Sequence, residues 1–68
     1  MINKENAKET LFNLRCKYGK TQEQVADGSL VSRITVNGIE SGNVNQKNLR
    51  AGTLFKLNAY FKTLGEKI

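Results

Sequence analysis

The side chains that could carry out chemistry are few in this chain, and they are suited to hydrogen bonding rather than to catalysis. Arg33 can donate two hydrogen bonds to a guanine edge, and Asn37 can pair with an adenine edge. Histidine is absent and Cys16 is the single cysteine, so the usual four-ligand zinc site cannot form. No nucleophile–base pair or carboxylate pair is placed for catalysis. We therefore expect no enzyme activity, no metal and no cofactor.

The basic charge is concentrated at the two ends of the chain. Eleven Lys and Arg oppose six Asp and Glu, which gives a net charge of +5. Residues 1–20 hold five cations and two carboxylates, and residues 43–68 hold five cations and one carboxylate. Residues 21–42, in contrast, hold one cation and three carboxylates. Either this is an ordinary solvated surface, or basic flanks contact phosphates around a less charged reading surface.

Length and composition indicate one small domain over residues 1–68. One cysteine excludes an internal disulfide, and no apolar run approaches the ~20 residues that a membrane helix needs. The first residues lead into charged positions rather than into the apolar core of a signal peptide. These features predict a cytoplasmic protein without membrane contact.

Apolar residues recur at helical spacing near both ends of the chain. Residues 4–18 carry one every three or four positions, and Gly19 suits the left-handed conformation that stops a helix. A similar pattern follows Asn48, a candidate N-cap, and ends near Gly65. The predicted inward residues are Ala7, Leu11, Leu14, Tyr18, Leu54, Leu57, Tyr60, Phe61 and Leu64.

Two shorter helices are expected between these. Thr21 with Gln24 three residues later is a capping-box pattern, and Gly28 is the expected end of that helix. Ser32 is a good N-cap for the next helix. The predicted inward residues are Val25, Ala26, Val36 and Ile39. Short helices so close in sequence must cross steeply to bury their apolar faces, which predicts a helix-turn-helix over about residues 21–41.

Six short runs of sequence occur in a specific order and spacing. They are LR (14–15), YGK (18–20), TQEQVA (21–26), VSRITV (31–36), IESG (39–42) and TLFKL (53–57). Together, over about residues 11–61, they resemble the Xre/Cro family of lambda-repressor-like DNA-binding domains. The resemblance implies an all-α bundle of four helices, or five with a short last helix. It also implies a sequence-specific transcriptional regulator that binds double-stranded DNA, of the small repressor type found in bacteria, phages and mobile elements.

The resemblance places the third helix in the major groove, with its N-terminal end toward the bases. The implied base-reading residues are Ser32, Arg33, Ile34, Asn37 and Gly38. The implied phosphate contacts are Gln22, Arg15, Ser41, Asn43 and Lys47. An ion pair between Arg15 and Glu40 is implied as a clamp that fixes the third helix. The alternatives are a solvated face at Arg33 and Asn37, burial of Ile34 against the turn, and two independent charges at Arg15 and Glu40.

The chain departs from the family pattern in the turn and in the third helix. Leu30 stands where Gly is usual, so Gly28 is expected to take the left-handed position instead. Gly38 stands where a long polar side chain often reads a base. This departure and the negative charge of residues 21–42 support a second function. It is a protein-interaction module with the same fold, antitoxin-like or a co-regulator, without strong base reading.

A single domain would contact one half-site weakly, so a homodimer through the C-terminal helix is expected. The candidate interface residues are Tyr60, Phe61, Leu64 and Ile68. Their alternative role is packing in the core of their own chain.

Overall fold

The computed structural model describes residues 1–44 and 48–67. Its four helices are α1 (Ala7–Lys17), α2 (Gln22–Ser29), α3 (Arg33–Ser41) and α4 (Ala51–Thr63). The described ranges contain no strand, so the predicted all-α fold with four helices is confirmed. Lys47 and Ile68, a predicted phosphate contact and a predicted interface residue, lie outside the described residues. None of the helices described is long and apolar enough to cross a membrane.

An aliphatic core with one fully buried aromatic ring lies between the helices. α3 packs against both α1 and α2, and α4 packs against α2. The fully buried side chains at its centre are Leu11, Val25, Val36, Leu57 and Phe61. Ile39 and Ala26 are buried as predicted, whereas Leu54, Tyr60 and Leu64 are only partly buried at the edge of the core.

The N-terminal segment belongs to the core, which the sequence pattern does not indicate. Ile2 is 1% exposed. Its backbone N–H donates to Asn58 Oδ1 at 2.8 Å, and its carbonyl accepts from Asn58 Nδ2 at 2.9 Å. Asn3 and Asn6 each accept the backbone N–H of the other with their side-chain oxygens. This turn occupies the residues before Ala7, so α1 begins later than the predicted residue 4.

All four helices end in the same hydrogen-bonded turn, the Schellman motif. A left-handed residue follows each helix, and the next N–H donates to a carbonyl five positions back. The donors are Lys20, Val31, Asn43 and Glu66, at 2.9–3.2 Å. Glycine takes the left-handed position after α1, α3 and α4, but Leu30 takes it after α2, with φ 60°. The prediction that Gly28 ends α2 in this conformation is therefore wrong.

Gly28 instead lets α4 approach α2. A Cβ at this position would collide with the ring of Tyr60, which packs edge-on against Phe61 with 5.2 Å between the centroids. α2 continues to Ser29, whose buried hydroxyl donates to the carbonyl of Val25.

The start of α4 also differs from the prediction. Arg50 is its N-cap and makes no side-chain cap bond, so Asn48 does not cap this helix. Leu49 is buried in the core immediately before the cap. The chain at Leu49 and Arg50 is not helical, and the helix starts at Ala51.

Candidate nucleic-acid interface

The N-terminal end of α3 is held by Ser32. Its hydroxyl oxygen accepts the backbone N–H of Thr35 at 3.1 Å and donates to the Thr35 hydroxyl at 3.1 Å. This cap satisfies one of the N–H groups that a helix start leaves without an intrahelical partner. The remaining N–H groups and the helix dipole make this end of α3 favourable for negative charge.

The outward face of α3 presents three predicted base-reading side chains. Val36 and Ile39 are buried, and Ile34 on the opposite side is 85% exposed. Burial of Ile34 against the turn is thus wrong. Arg33 and Asn37 are exposed and lie one helical turn apart. The outward face therefore combines the guanidinium of Arg33, the amide of Asn37 and the aliphatic side chain of Ile34 within two turns of helix.

An ion pair with two hydrogen bonds connects α1 to α3. Arg15 Nε donates to Glu40 Oε2 and Arg15 Nη2 donates to Glu40 Oε1, both at 2.8 Å, and Nη1 donates to the carbonyl of Lys20 at 3.1 Å. The two side chains are 19% and 5% exposed. The hydrogen bond to Glu40 raises the pKa of Arg15 above its usual value. This arrangement holds α3 at a set position against α1.

Gln22 connects this ion pair to the outward face of α3. Its Nε2 donates to Glu40 Oε1 at 3.3 Å, and its Oε1 accepts from Asn37 Nδ2 at 3.0 Å. The resulting network runs Arg15–Glu40–Gln22–Asn37 across α1, α3 and α2. Asn37 keeps its Oδ1 and a second Nδ2 hydrogen, the two groups that pair with adenine N6 and N7. Gln22 thus orients Asn37, a role that the sequence pattern does not reveal because fifteen residues separate them.

Gly38 lies on the flank of α3 that is covered by the following loop. A Cβ here would lie 2.6 Å from Val44 Cγ2. The backbone N–H groups of Asn43 and Val44 both donate to the Gly38 carbonyl, at 3.0 and 3.1 Å. The half-buried Val44 side chain occupies the space that a longer residue at 38 would fill. Val44 could not be identified from sequence, because its position depends on the turn at Gly42.

Three of the other predicted phosphate contacts, Arg15, Ser41 and Asn43, lie within the described residues. Ser41 and Asn43 are exposed at the C-terminal end of α3, and the Ser41 hydroxyl donates to the Gly38 carbonyl at 3.2 Å. The Cζ atom of Arg15 lies 5.4 Å from the centroid of the Phe12 ring. Most of the hydrogen-bond donors of Arg15 are used within the protein. Among the side chains that the structure describes, no cluster of His, Cys, Asp or Glu could hold a metal ion.

Comparison with protein families agrees with this geometry. The model of the helix-turn-helix family HTH_3 matches residues 11–66, from within α1 to beyond α4. Comparisons with curated proteins and with solved structures give no significant match. The family match covers most of the chain, including the two short helices that carry Gln22, Arg33 and Asn37. The chain belongs to the helix-turn-helix family HTH_3, the Xre and lambda-repressor-like group of DNA-binding regulators.

Proposed function

We propose that this protein is a sequence-specific transcriptional regulator that reads duplex DNA with α3, as a small phage, mobile-element or bacterial repressor. The observation that carries the proposal is the exposed face of α3, on which Gln22 orients Asn37 beside Arg33 and Ile34. The major groove offers guanine acceptors, adenine N6 and N7, and thymine methyl groups. Arg33, Asn37 and Ile34 match these three features in turn.

The proposed contacts divide into reading and positioning. Arg33 reads guanine, Asn37 reads adenine and Ile34 contacts a thymine methyl group. Ser32 lies at the N-terminal end of the helix, and Gly38, beside which Val44 fills the space, offers only its backbone. Phosphate carries no sequence information, so contacts to it fix only the register on the duplex. The proposed phosphate contacts are Gln22, Arg15, Ser41, Asn43 and Lys47.

Gln22 has two tasks in this proposal. It lies in the first turn of α2, where N–H groups and the helix dipole favour an anion. It also holds Asn37 through the 3.0 Å hydrogen bond. We expect Gln22→Ala to weaken binding to all duplexes and to relax the preference for adenine at one position.

Two copies on a two-part site would give the affinity that one reading helix lacks. Phe61 cannot supply the contact between copies, because it is fully buried. Tyr60 and Leu64 are half-buried against the core of their own chain. We therefore propose that the two copies are brought together by the spacing of their half-sites on DNA rather than by these three side chains.

Selection from a pool of random duplexes tests the proposal. We expect enrichment of a short motif that contains guanine, thymine and adenine, and no enrichment with the triple variant R33A/I34A/N37A. Binding to the enriched duplex should weaken with added salt, with a log–log slope of about −0.9 per phosphate contacted. If no sequence is enriched, and if binding to duplex DNA does not change with salt, the result would instead support the interaction module without base reading.

A further inference from the structure

A second surface of unusual composition lies between α4 and the N-terminal segment. A groove of about 510 Å³ runs along this side of the helix. We call it the α4 groove, and its principal lining residues are Met1, Ile2, Leu54, Phe55, Ala59 and Lys62. None of these residues belongs to α2 or α3, so the groove is separate from the proposed DNA-reading face.

The apolar wall of the α4 groove is exposed beyond what the fold requires. Phe55 is 74% exposed and Met1 is also largely exposed, whereas the core beneath is already closed by Leu57 and Phe61. Exposed aromatic and aliphatic groups that share one groove mark an interaction site more often than scattered ones do. Ala51 and Ala59, one helical turn before and after Phe55, also line the groove, and their small side chains leave space beside the ring.

Polar recognition in the α4 groove is limited. Asn58 lines it, but both ends of its amide are bonded to the backbone of Ile2. A ligand would therefore be held by apolar burial and by charge rather than by directional hydrogen bonds.

The charged side chains of α4 all have one sign. Residues 50–63 carry Arg50, Lys56 and Lys62 and contain no Asp or Glu. Glu66, the nearest acidic residue in sequence, accepts hydrogen bonds from Lys17 and Tyr18, both at 2.8 Å. A second copy seated on this surface would bring cations of α4 against cations of α4 without carboxylates to offset them.

We propose that the α4 groove binds an acidic amphipathic helix of a partner protein. Such a helix would place apolar residues at positions i, i+4 and i+7 around Phe55, as in other helix-in-groove complexes. Carboxylates on its flanks would lie near Lys56 and Lys62. This second binding function goes beyond the proposed reading of DNA, and the two surfaces share no residue.

The test uses the full chain and a synthetic peptide. The peptide has about 15 residues. Leu recurs along it at the spacing i, i+4, i+7, and Glu occupies all other positions. A matched peptide carries Lys in place of Glu. We expect the acidic peptide to bind and the basic one not to bind, in fluorescence anisotropy with labelled peptides. Amide shifts in a ¹⁵N-labelled sample should map to residues 1–3 and 51–62.

Three variants define the site. Phe55→Ala should weaken binding of the acidic peptide about 10-fold, through loss of buried aromatic area. Lys62→Glu should weaken it several-fold, and the loss should shrink at high salt. Ile34→Ala is the matched control, an exposed aliphatic residue on the other surface, and should leave peptide binding unchanged. Each variant is first shown to melt like the unmodified chain.

Four results would overturn the proposal. Two of them are no binding of the acidic peptide at concentrations up to about 1 mM, and equally strong binding of the basic peptide. Shift changes confined to residues 22–37, with loss on Ile34→Ala, would mean that the peptide only imitates DNA phosphates. Sedimentation that shows a dimer abolished by Phe55→Asp would assign the groove to a second copy of this chain.

Discussion

Helices α3 and α4 each present a large apolar side chain to solvent, and they do so in opposite surroundings. Ile34 on α3 is 85% exposed and Phe55 on α4 is 74% exposed. Beside Ile34, the Asn37 amide is held by Gln22, which is bonded in turn to the ion pair of Glu40. Beside Phe55 lie other apolar groups and lysines without a nearby carboxylate in the sequence of α4.

This difference shows that exposure alone does not identify a ligand. An apolar group among oriented donors and acceptors suits base edges, which require directional hydrogen bonds. An apolar group among lysines suits an acidic, amphipathic partner, for which burial and charge are sufficient. Substitutions can show whether the two faces are independent of the core, and how firmly the α3 face is held.

The largest expected effect is the difference in stability between substitutions in the core and substitutions on the two exposed faces. Val36→Asn and Leu57→Asn place an amide at fully buried positions and should cost ~3 kcal/mol or more, enough to unfold a small domain of modest stability. Ile34→Asn and Phe55→Asn, two residues away in the same helices, should stay within about 0.5 kcal/mol. Thermal melts followed by circular dichroism measure both pairs. Equal melting of Val36→Asn and Ile34→Asn would contradict the assignment of the α3 faces.

The next effect concerns the ion pair that supports only the α3 face. Arg15→Ala leaves the Glu40 carboxylate, 5% exposed, without its cation, and should destabilise the fold by about 2 kcal/mol. Lys17→Ala is the control, since Lys17 is 60% exposed in its pair with Glu66 and this pair should matter less. Chemical denaturation of the two variants decides the point, and identical midpoints would mean that the pair does not hold α3.

A smaller effect distinguishes two helical glycines. Gly28→Ala should lower stability by ~1–2 kcal/mol, because the new methyl group collides with Tyr60 and this outweighs the better helix propensity. Gly52→Ala, in α4 beside the groove, has nothing within 4 Å of the new Cβ and should raise stability by about 0.5–1 kcal/mol. If both changes stabilise in urea melts, α2 and α4 are less closely packed than described.

The smallest effect is a pH dependence at the end of the chain. Hydrogen bonds from Lys17 and then from Tyr18 lower the pKa of Glu66. A carboxyl whose pKa is lowered on folding stabilises the protein above its unfolded pKa, and this contribution is lost as the pH falls through the folded pKa. The difference in melting temperature between the unmodified chain and Glu66→Gln should therefore be present near pH 7 and vanish only once the pH has fallen below the usual pKa range of a glutamate. A difference that does not change with pH would exclude this ion pair.

Local patterns were enough to predict much of the fold. The capping box at Thr21, the cap at Ser32 and the buried pair of Val36 and Ile39 are confirmed, because each depends on residues within one or two turns. The family, recognised from motif order, is confirmed by the match over residues 11–66.

What could not be predicted depends on contacts between distant residues. Asn58 bonds to Ile2 across 56 positions, and Gly28 is required by Tyr60 in another helix. Leu30 adopts a conformation that its own type disfavours, at ~1–2 kcal/mol, because the packing of α2 and α3 requires it there. The same reason applies at the site, where the bond between Gln22 and Asn37 depends on how α2 crosses α3.

The central claim is that α3 reads sequence, and Arg33 tests it most directly. Binding of Arg33→Ala is measured on the enriched duplex and on a scrambled duplex at one salt concentration, beside Asn43→Ala as the variant of a proposed phosphate contact. Relative to the unmodified chain, we predict that Arg33→Ala loses ~1–3 kcal/mol of binding free energy on the enriched duplex and little on the scrambled duplex. Asn43→Ala should weaken both alike. An equal loss on both duplexes for Arg33→Ala would contradict base reading by this residue, and no loss on either would contradict DNA recognition by α3.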